Sequence, residues 1–352
     1  MVIACGATFT NEKVVLSHDL FCTETKFLHE ATDEELMELN AAITLSGPDA
    51  SIDCKGHIIS QVSGIGGPGS SGLFTIEDPF EPSNDRKEMK KNGYFYYIAG
   101  ILLTDGAKAI NCRVERFHDG FLVLNGGDVE KSEASGNCHG VYVRDLTGSI
   151  ETTVSDVNLH DNFDGIVVFN GANANAVTIK GVTSKLSHNG MSLKGPDITV
   201  KDSTTSRNWL FGIVFSGAME FVEEKYTTKI QLGGKISSHH NEYGIDFKFL
   251  EIDFEDFGNP YTAIVDVKGE VNTYLNRREG LRISTNPFYN VSFTVEESGT
   301  WISCQNTDTD IVNSDGVIEF IDEGTDGYVC DSSVAEWSGE GTPTCVACPA
   351  CI

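Results

Sequence analysis

The sequence predicts an all-β protein, a right-handed parallel β-helix wound as a single-stranded solenoid, and three observations predict it. First, a short motif recurs in which a polar turn runs into Gly and then into an alternating strand. It stands at His118-Asp119-Gly120, Cys138-His139-Gly140, Phe163-Asp164-Gly165, His188-Asn189-Gly190, Phe211-Gly212, Tyr243-Gly244, Glu279-Gly280 and Asp315-Gly316. Second, the glycines are spaced by 20, 25, 25, 22, 32, 36 and 36 residues, the length of one coil with or without an added loop. Third, each interval holds a further strand, such as residues 176–181, 197–201 and 262–269, with no helical period between. Short strands separated by turns, with apolar side chains at alternate positions, stack coil upon coil and bury a continuous core.

Each element follows in order. Thr32-Asp33-Glu34-Glu35 reads as a capping box ahead of Leu36-Met37-Glu38-Leu39, so Thr32 to Ala41 is expected to form a short amphipathic helix. Placed before the first coil, it would cover an open sheet end that otherwise templates aggregation. The boundaries expected are therefore residues 1–41 for an N-terminal strand and capping helix, and 42–330 for the solenoid. Residues 62–93, Gly- and Ser-rich and then charged, read as a loop leaving the early coils. The repeat glycines suit bends with positive φ. Asn162, Asn189, Asn208, Asn241 and Asn276 are expected to bond the backbone of the next coil as a ladder, with His160, His188, His239 and His240 structural beside them. Residues 331–352 lose the pattern and end in Cys345-x-x-Cys348-x-x-Cys351, a Cys-rich tail or the beginning of a further module.

Charge narrows the partners. The 352 residues carry 25 Lys and Arg against 52 Asp and Glu, a net −27. Nucleic acid and anionic membrane surfaces both demand phosphate neutralisation by cations, so both are excluded. No apolar run reaches the length that crosses a bilayer, so membrane insertion is not expected either.

Ten cysteines point to an oxidising compartment, and an extracellular or cell-surface location is expected. Cys5 and Cys22 flank one alternating segment, whereas Cys112 to Cys138 and Cys304 to Cys330 each span 26 residues, about one coil. Disulfides are expected at these six, with reduced core cysteines as the alternative. Met1 to Ala4 run straight into Cys5 without a basic start or an apolar signal segment. Asn290-Val291-Ser292 is the one glycosylation sequon, usable by a secreted chain.

The opening, Cys5-Gly6-Ala7-Thr8-Phe9-Thr10 through Cys22, then residues 42–47 and 51–60, resembles that of right-handed β-helix proteins of the pectin-lyase-like class. More narrowly it resembles their secreted NosD-like branch, over residues 5–330. That class spans lyases, hydrolases, epimerases and proteins without catalysis, so the resemblance implies fold more than activity. The carboxylate and histidine signatures of the polygalacturonase type and the Asp-Pro-His-Glu of the alginate-epimerase type are both missing.

Sugar-processing β-helices work along the outer face of one sheet, and alternation after the repeat glycine predicts which residues lie there. One outward row reads Leu122, Tyr142, Val167, Ser192, Val214, Asp246, Arg282, and the next Leu124, Arg144, Phe169, Lys194, Ser216, Lys248, Ser284. Lys194, Lys248 and Arg282 could supply the base and cation of β-elimination, with Asp246 orienting them, and Tyr142, Arg144 and Phe169 would contact substrate. A carbohydrate-interacting or cell-surface scaffold is the function expected, with a polysaccharide lyase or hydrolase as the alternative. Self-assembly through the ends or the tail is a further expectation. From Ile283 onward there is no Lys or Arg but twelve acidic residues. Asp308, Asp310, Asp322 and Asp326 among them suit an oxygen-seeking ion such as Ca²⁺, without matching the spacing of a known loop.

Overall fold

The computed structural model describes residues 3–22, 41–61, 99–145, 150–171, 173–216, 227–249, 261–285, 289–296, 299–307, 311–314, 317–322 and 328–330. Its strands form three parallel sheets of eleven strands each, and every strand's sheet neighbours are those three before and three after it in the chain. That is a right-handed parallel β-helix in which each coil contributes one strand to each of sheets A, B and C. Sheet A begins with Ala7–Thr10, Ala41–Ser46 and Ala99–Thr104, sheet B with Lys13–Val15, and sheet C with Leu20–Cys22. The first coil is therefore residues 7–22, well ahead of the expected boundary at 42. The capping-helix segment consequently lies between the first and second coils rather than before the first. Residues 32–40 fall outside the described residues, as does the loop at 62–93, and Ala41 opens a strand.

Inside, the coils stack like on like. Val123, Val143, Val168, Leu193, Phe215, Phe247 and Ile283 share one register, and none of them is more than 1 % exposed. Toward the C-terminal coils aromatics take over: Phe215 stacks on Phe247 at 5.0 Å, and Phe293 meets Phe247 edge-on at 5.6 Å. Each such side chain contributes roughly 1.5–3 kcal/mol by leaving water. The core is a column of nearest-neighbour contacts.

The repeat glycines are needed for a different reason from the one expected. None of Gly120, Gly140, Gly165, Gly190, Gly212, Gly244 or Gly280 has positive φ. Instead a Cβ at Gly120 would lie 2.6 Å from the Gly140 carbonyl oxygen, and one at Gly140 equally close to that of Gly165. The backbones of adjacent coils approach too closely there for any side chain. Gly316 does not continue the series, because the strand that follows it, Val317–Asp322, belongs to sheet B. Ile311 takes the register of Leu281 in sheet A.

Positive φ occurs one residue before the polar ladder, at Arg116, Gly136, Asp161, Leu186, Arg207, His240, Leu275 and Gln305. The next residue turns inward. The Phe117 N–H donates to Asn137 Oδ1 (2.9 Å) and the Asn137 N–H to Asn162 Oδ1 (3.0 Å). Further on, Ser187 donates to Asn208 (3.1 Å), Asn208 to Asn241 (2.9 Å), Asn241 to Asn276 (3.1 Å) and Asn276 to Asn306 (3.0 Å). The ladder satisfies buried turn amides that would otherwise cost about 1–3 kcal/mol each. Asn189 is not part of it. Ser187 holds that place, and Asn189 sits on the outer face with its amide donating to Asp164 (2.8 Å). Of the histidines, His188 stacks on Phe163 at 4.7 Å and His239 on Tyr274 at 4.8 Å.

Two disulfides are present near the N-terminal end. Cys5, just ahead of the first coil, bonds Cys22 at its end, so both are in a disulfide as expected. Cys112 bonds Cys54, not Cys138, because the long 62–98 connection makes residues 58 positions apart into neighbours on adjacent coils. Cys138 is a free, buried thiol. Cys304 is disulfide-bonded; the side chain of Cys330 lies outside the described residues. Among the described residues no helix is long and apolar enough to cross a membrane.

Candidate functional site on the outer face of sheet A

The predicted outward rows are the observed ones. Leu122, Tyr142, Val167, Ser192, Val214, Asp246 and Arg282 pair in unbroken register across seven strands. Alongside them Leu124 pairs with Arg144, and Phe169, Lys194, Ser216, Lys248 and Ser284 form the second row.

Of the seven residues proposed for catalysis and substrate contact, three converge. Arg282 Nη2 donates to Asp246 Oδ2 at 2.5 Å, and Lys248 Nζ stands 3.8 Å from the same oxygen. Asp246 is fully buried. Burial pushes its carboxyl above the usual range, against the opposing pull of Arg282 and Lys248. Lys194 lies two rungs from Lys248, with Ser216 between, and sits 5.5 Å over the ring of its neighbour Phe169. Tyr142 and Arg144 are farther up the face, four rungs from Asp246, with the Tyr142 ring 5.1 Å from that of His139.

A third row, which alternation does not reveal, carries the aromatics that hold the cations. Gly212 and Gly244 both face the interior ladder, as do the residues that follow them, so the residue before each glycine is thrown outward. Phe211 and Tyr243 thereby pack ring on ring at 5.1 Å. Lys248 Nζ lies 4.2 Å from the Phe211 centroid, and the Arg282 guanidinium 4.4 Å from that of Tyr243. Arg278 donates to the Tyr243 hydroxyl at 2.9 Å. Two rings, an ammonium and two guanidinium groups thus form one strip, at distances where cation–π attraction is appreciable.

The same break in alternation hides a second cluster, four coils wide and rich in titratable groups. Asp119, His139, Asp164 and Asn189 share a register, and His118 and Cys138 adjoin them. Asp119 Oδ1 accepts from Nδ1 of His118 (2.9 Å) and from Nδ1 of His139 (2.7 Å), and Cys138 Sγ is 3.9 Å from His139 Nε2. Burial alone would raise the Asp119 carboxyl, but the two imidazoles hold it well below the usual range. The available signal was the placement of His118-Asp119 and Cys138-His139 directly before repeat glycines 20 residues apart.

The other predicted residues are dispersed. Asp308, Asp310 and Asp326 lie outside the described residues, and Asp322 ends a sheet B strand without a described side chain. Asn290, on sheet B, is exposed. No protein-family model, curated protein or solved structure matches the chain.

Proposed function

We propose that this is an extracellular β-helix protein of the pectin-lyase-like class, NosD-like branch, that binds an acidic carbohydrate along the outer face of sheet A. The observation that carries the reading is the strip of Phe211, Tyr243, Lys248, Arg278 and Arg282. In a chain of net charge −27, a local gathering of cations held against two nearly buried rings favours a ligand with carboxylates. The four longest connections between described strands, 23–40, 62–98, 217–226 and 250–260, all leave or enter strands of sheet A, and long connections are where binding residues concentrate. The disulfides accord with an oxidising compartment.

Polyuronate binding, measured by calorimetry on the full chain, should be lost on Lys248→Ala and weaken as salt is raised. Binding untouched by that substitution overturns the reading. A polysaccharide lyase is the second reading, favoured by the meeting of Asp246, Lys248 and Arg282. The complete burial of Asp246 leaves Lys248 as the base in that case. Release of unsaturated, ultraviolet-absorbing product from a polyuronate would decide for it, and binding without turnover for the scaffold.

A further inference from the structure

We propose that His118, Cys138 and His139 form a binding site for a nitrogen- and sulfur-seeking divalent ion of the zinc type, with Asp119 fixing the two histidines. The site is distinct from the aromatic–cation strip and does not depend on the carbohydrate reading.

The donor set is the first argument. Two imidazole nitrogens and a thiolate are ligands that zinc prefers, and three protein ligands with one position left for a small donor is a recurrent zinc arrangement. One ligand atom from each residue lies within 4.8 Å of the others. Tetrahedral bonds of usual zinc length would bring sulfur and nitrogen to about 3.5 Å. Cys138 Sγ and His139 Nε2, at 3.9 Å, are close to that already. The remaining closure needs side-chain rotation only.

The second argument is orientation. A carboxylate only accepts, so Asp119 Oδ1 receives a proton-bearing Nδ1 from both His118 (2.9 Å) and His139 (2.7 Å). With Nδ1 of both rings turned to Asp119, Nε2 is the nitrogen left to meet an ion, the arrangement in which metal-ligating histidines are normally held. The backbone supports it, because Asp119 and His139 are register partners in adjacent strands of sheet A. His139 sits on one of these paired strands, and His118 and Cys138 occupy the bends that lead directly into them, which keeps the donors from wandering.

The third argument is the cysteine itself. Cys5, Cys22, Cys54, Cys112 and Cys304 are all in disulfides, while Cys138 is not and lies beside two imidazoles. A thiolate with Asp119 balances the charge of a divalent ion in a largely buried place. His118 and His139 retain side-chain exposures of 13 % and 17 %, so the ion has a way in from the outer face of sheet A.

The test is a Co²⁺ titration of the chelator-treated full chain, with the three tail cysteines replaced (Cys345→Ser, Cys348→Ser, Cys351→Ser) so that they cannot contribute. One equivalent should produce an intense thiolate-to-cobalt charge-transfer band and the visible bands of a tetrahedral ion, both displaced by Zn²⁺. Cys138→Ala should abolish the charge-transfer band, and Asp119→Asn should weaken affinity about 10–100-fold. Circular dichroism checks that the variants are folded. Where one is not, alkylation of Cys138 in the otherwise unaltered chain replaces it, and Zn²⁺ should slow the reaction at least tenfold. No charge-transfer band at one equivalent, or rapid alkylation indifferent to Zn²⁺ as a simple thiol–imidazole pair would show, overturns the proposal.

Discussion

Asp119 and Asp246 occupy the same outer face of the same sheet, and both are buried, at 3 % and 0 % exposure. Their environments nevertheless drive them in opposite directions. Asp119 accepts from two imidazoles on one oxygen and is held below the usual carboxylate range. Asp246 has one guanidinium in bonding distance and an ammonium at 3.8 Å, its Oδ1 makes no hydrogen bond, and burial raises it. The count of partners at bonding distance, rather than the nominal charge nearby, decides whether a buried carboxylate is at ease.

The largest effect should come from Asp119→Ala. It leaves two largely buried imidazoles without their carboxylate acceptor, and removing one member of such a set costs about 3 kcal/mol. Urea unfolding of the metal-free chain measures it, and a loss below 1 kcal/mol would mean that the histidines find other partners.

Arg282→Met should cost about 3 kcal/mol near neutral pH, since it strips Asp246 of its one close partner. Here pH sharpens the contrast. A carboxyl raised by burial binds protons more tightly folded than unfolded, so stability falls as pH rises from the unfolded value near 4 through the folded one. The deficit of the variant should thus be greatest at neutral pH and shrink toward pH 4. A deficit that is independent of pH would show that Asp246 is not the group left stranded.

The smallest effect is expected for Lys248→Met, within about 1 kcal/mol, because its ammonium is a third exposed and too far from Asp246 to bond well. A loss as large as that of Arg282→Met would make the two cations equal partners and remove the asymmetry.

Which of these features the sequence discloses depends on the local rule that generates them. A period of two after a glycine fixed by backbone contact places Leu122 through Arg282 without error, because parallel register carries one assignment to every coil. The rule fails where Gly and the following residue both face inward. That local break conceals Phe211, Tyr243, Asp119 and His139, all of which precede such a glycine. The ladder shows the same sensitivity: two residues separate Ser187, which belongs to it, from Asn189, which does not. The partner of Cys112 was illegible because the separation along the chain reflects the 62–98 connection and not the coil.

The asparagine column has a consequence for how such a molecule can change in size. Each amide from Asn208 to Asn306 answers only to the rung on either side, and every rung repeats the same bond. A recombination joining equivalent points, such as those just after Ser187 and Asn208, adds or removes one full turn and restores identical hydrogen bonds at the seam. Length is thereby a heritable variable separate from sequence. A gene encoding this column can be lengthened or shortened in whole units while every residue away from the seam keeps its neighbours.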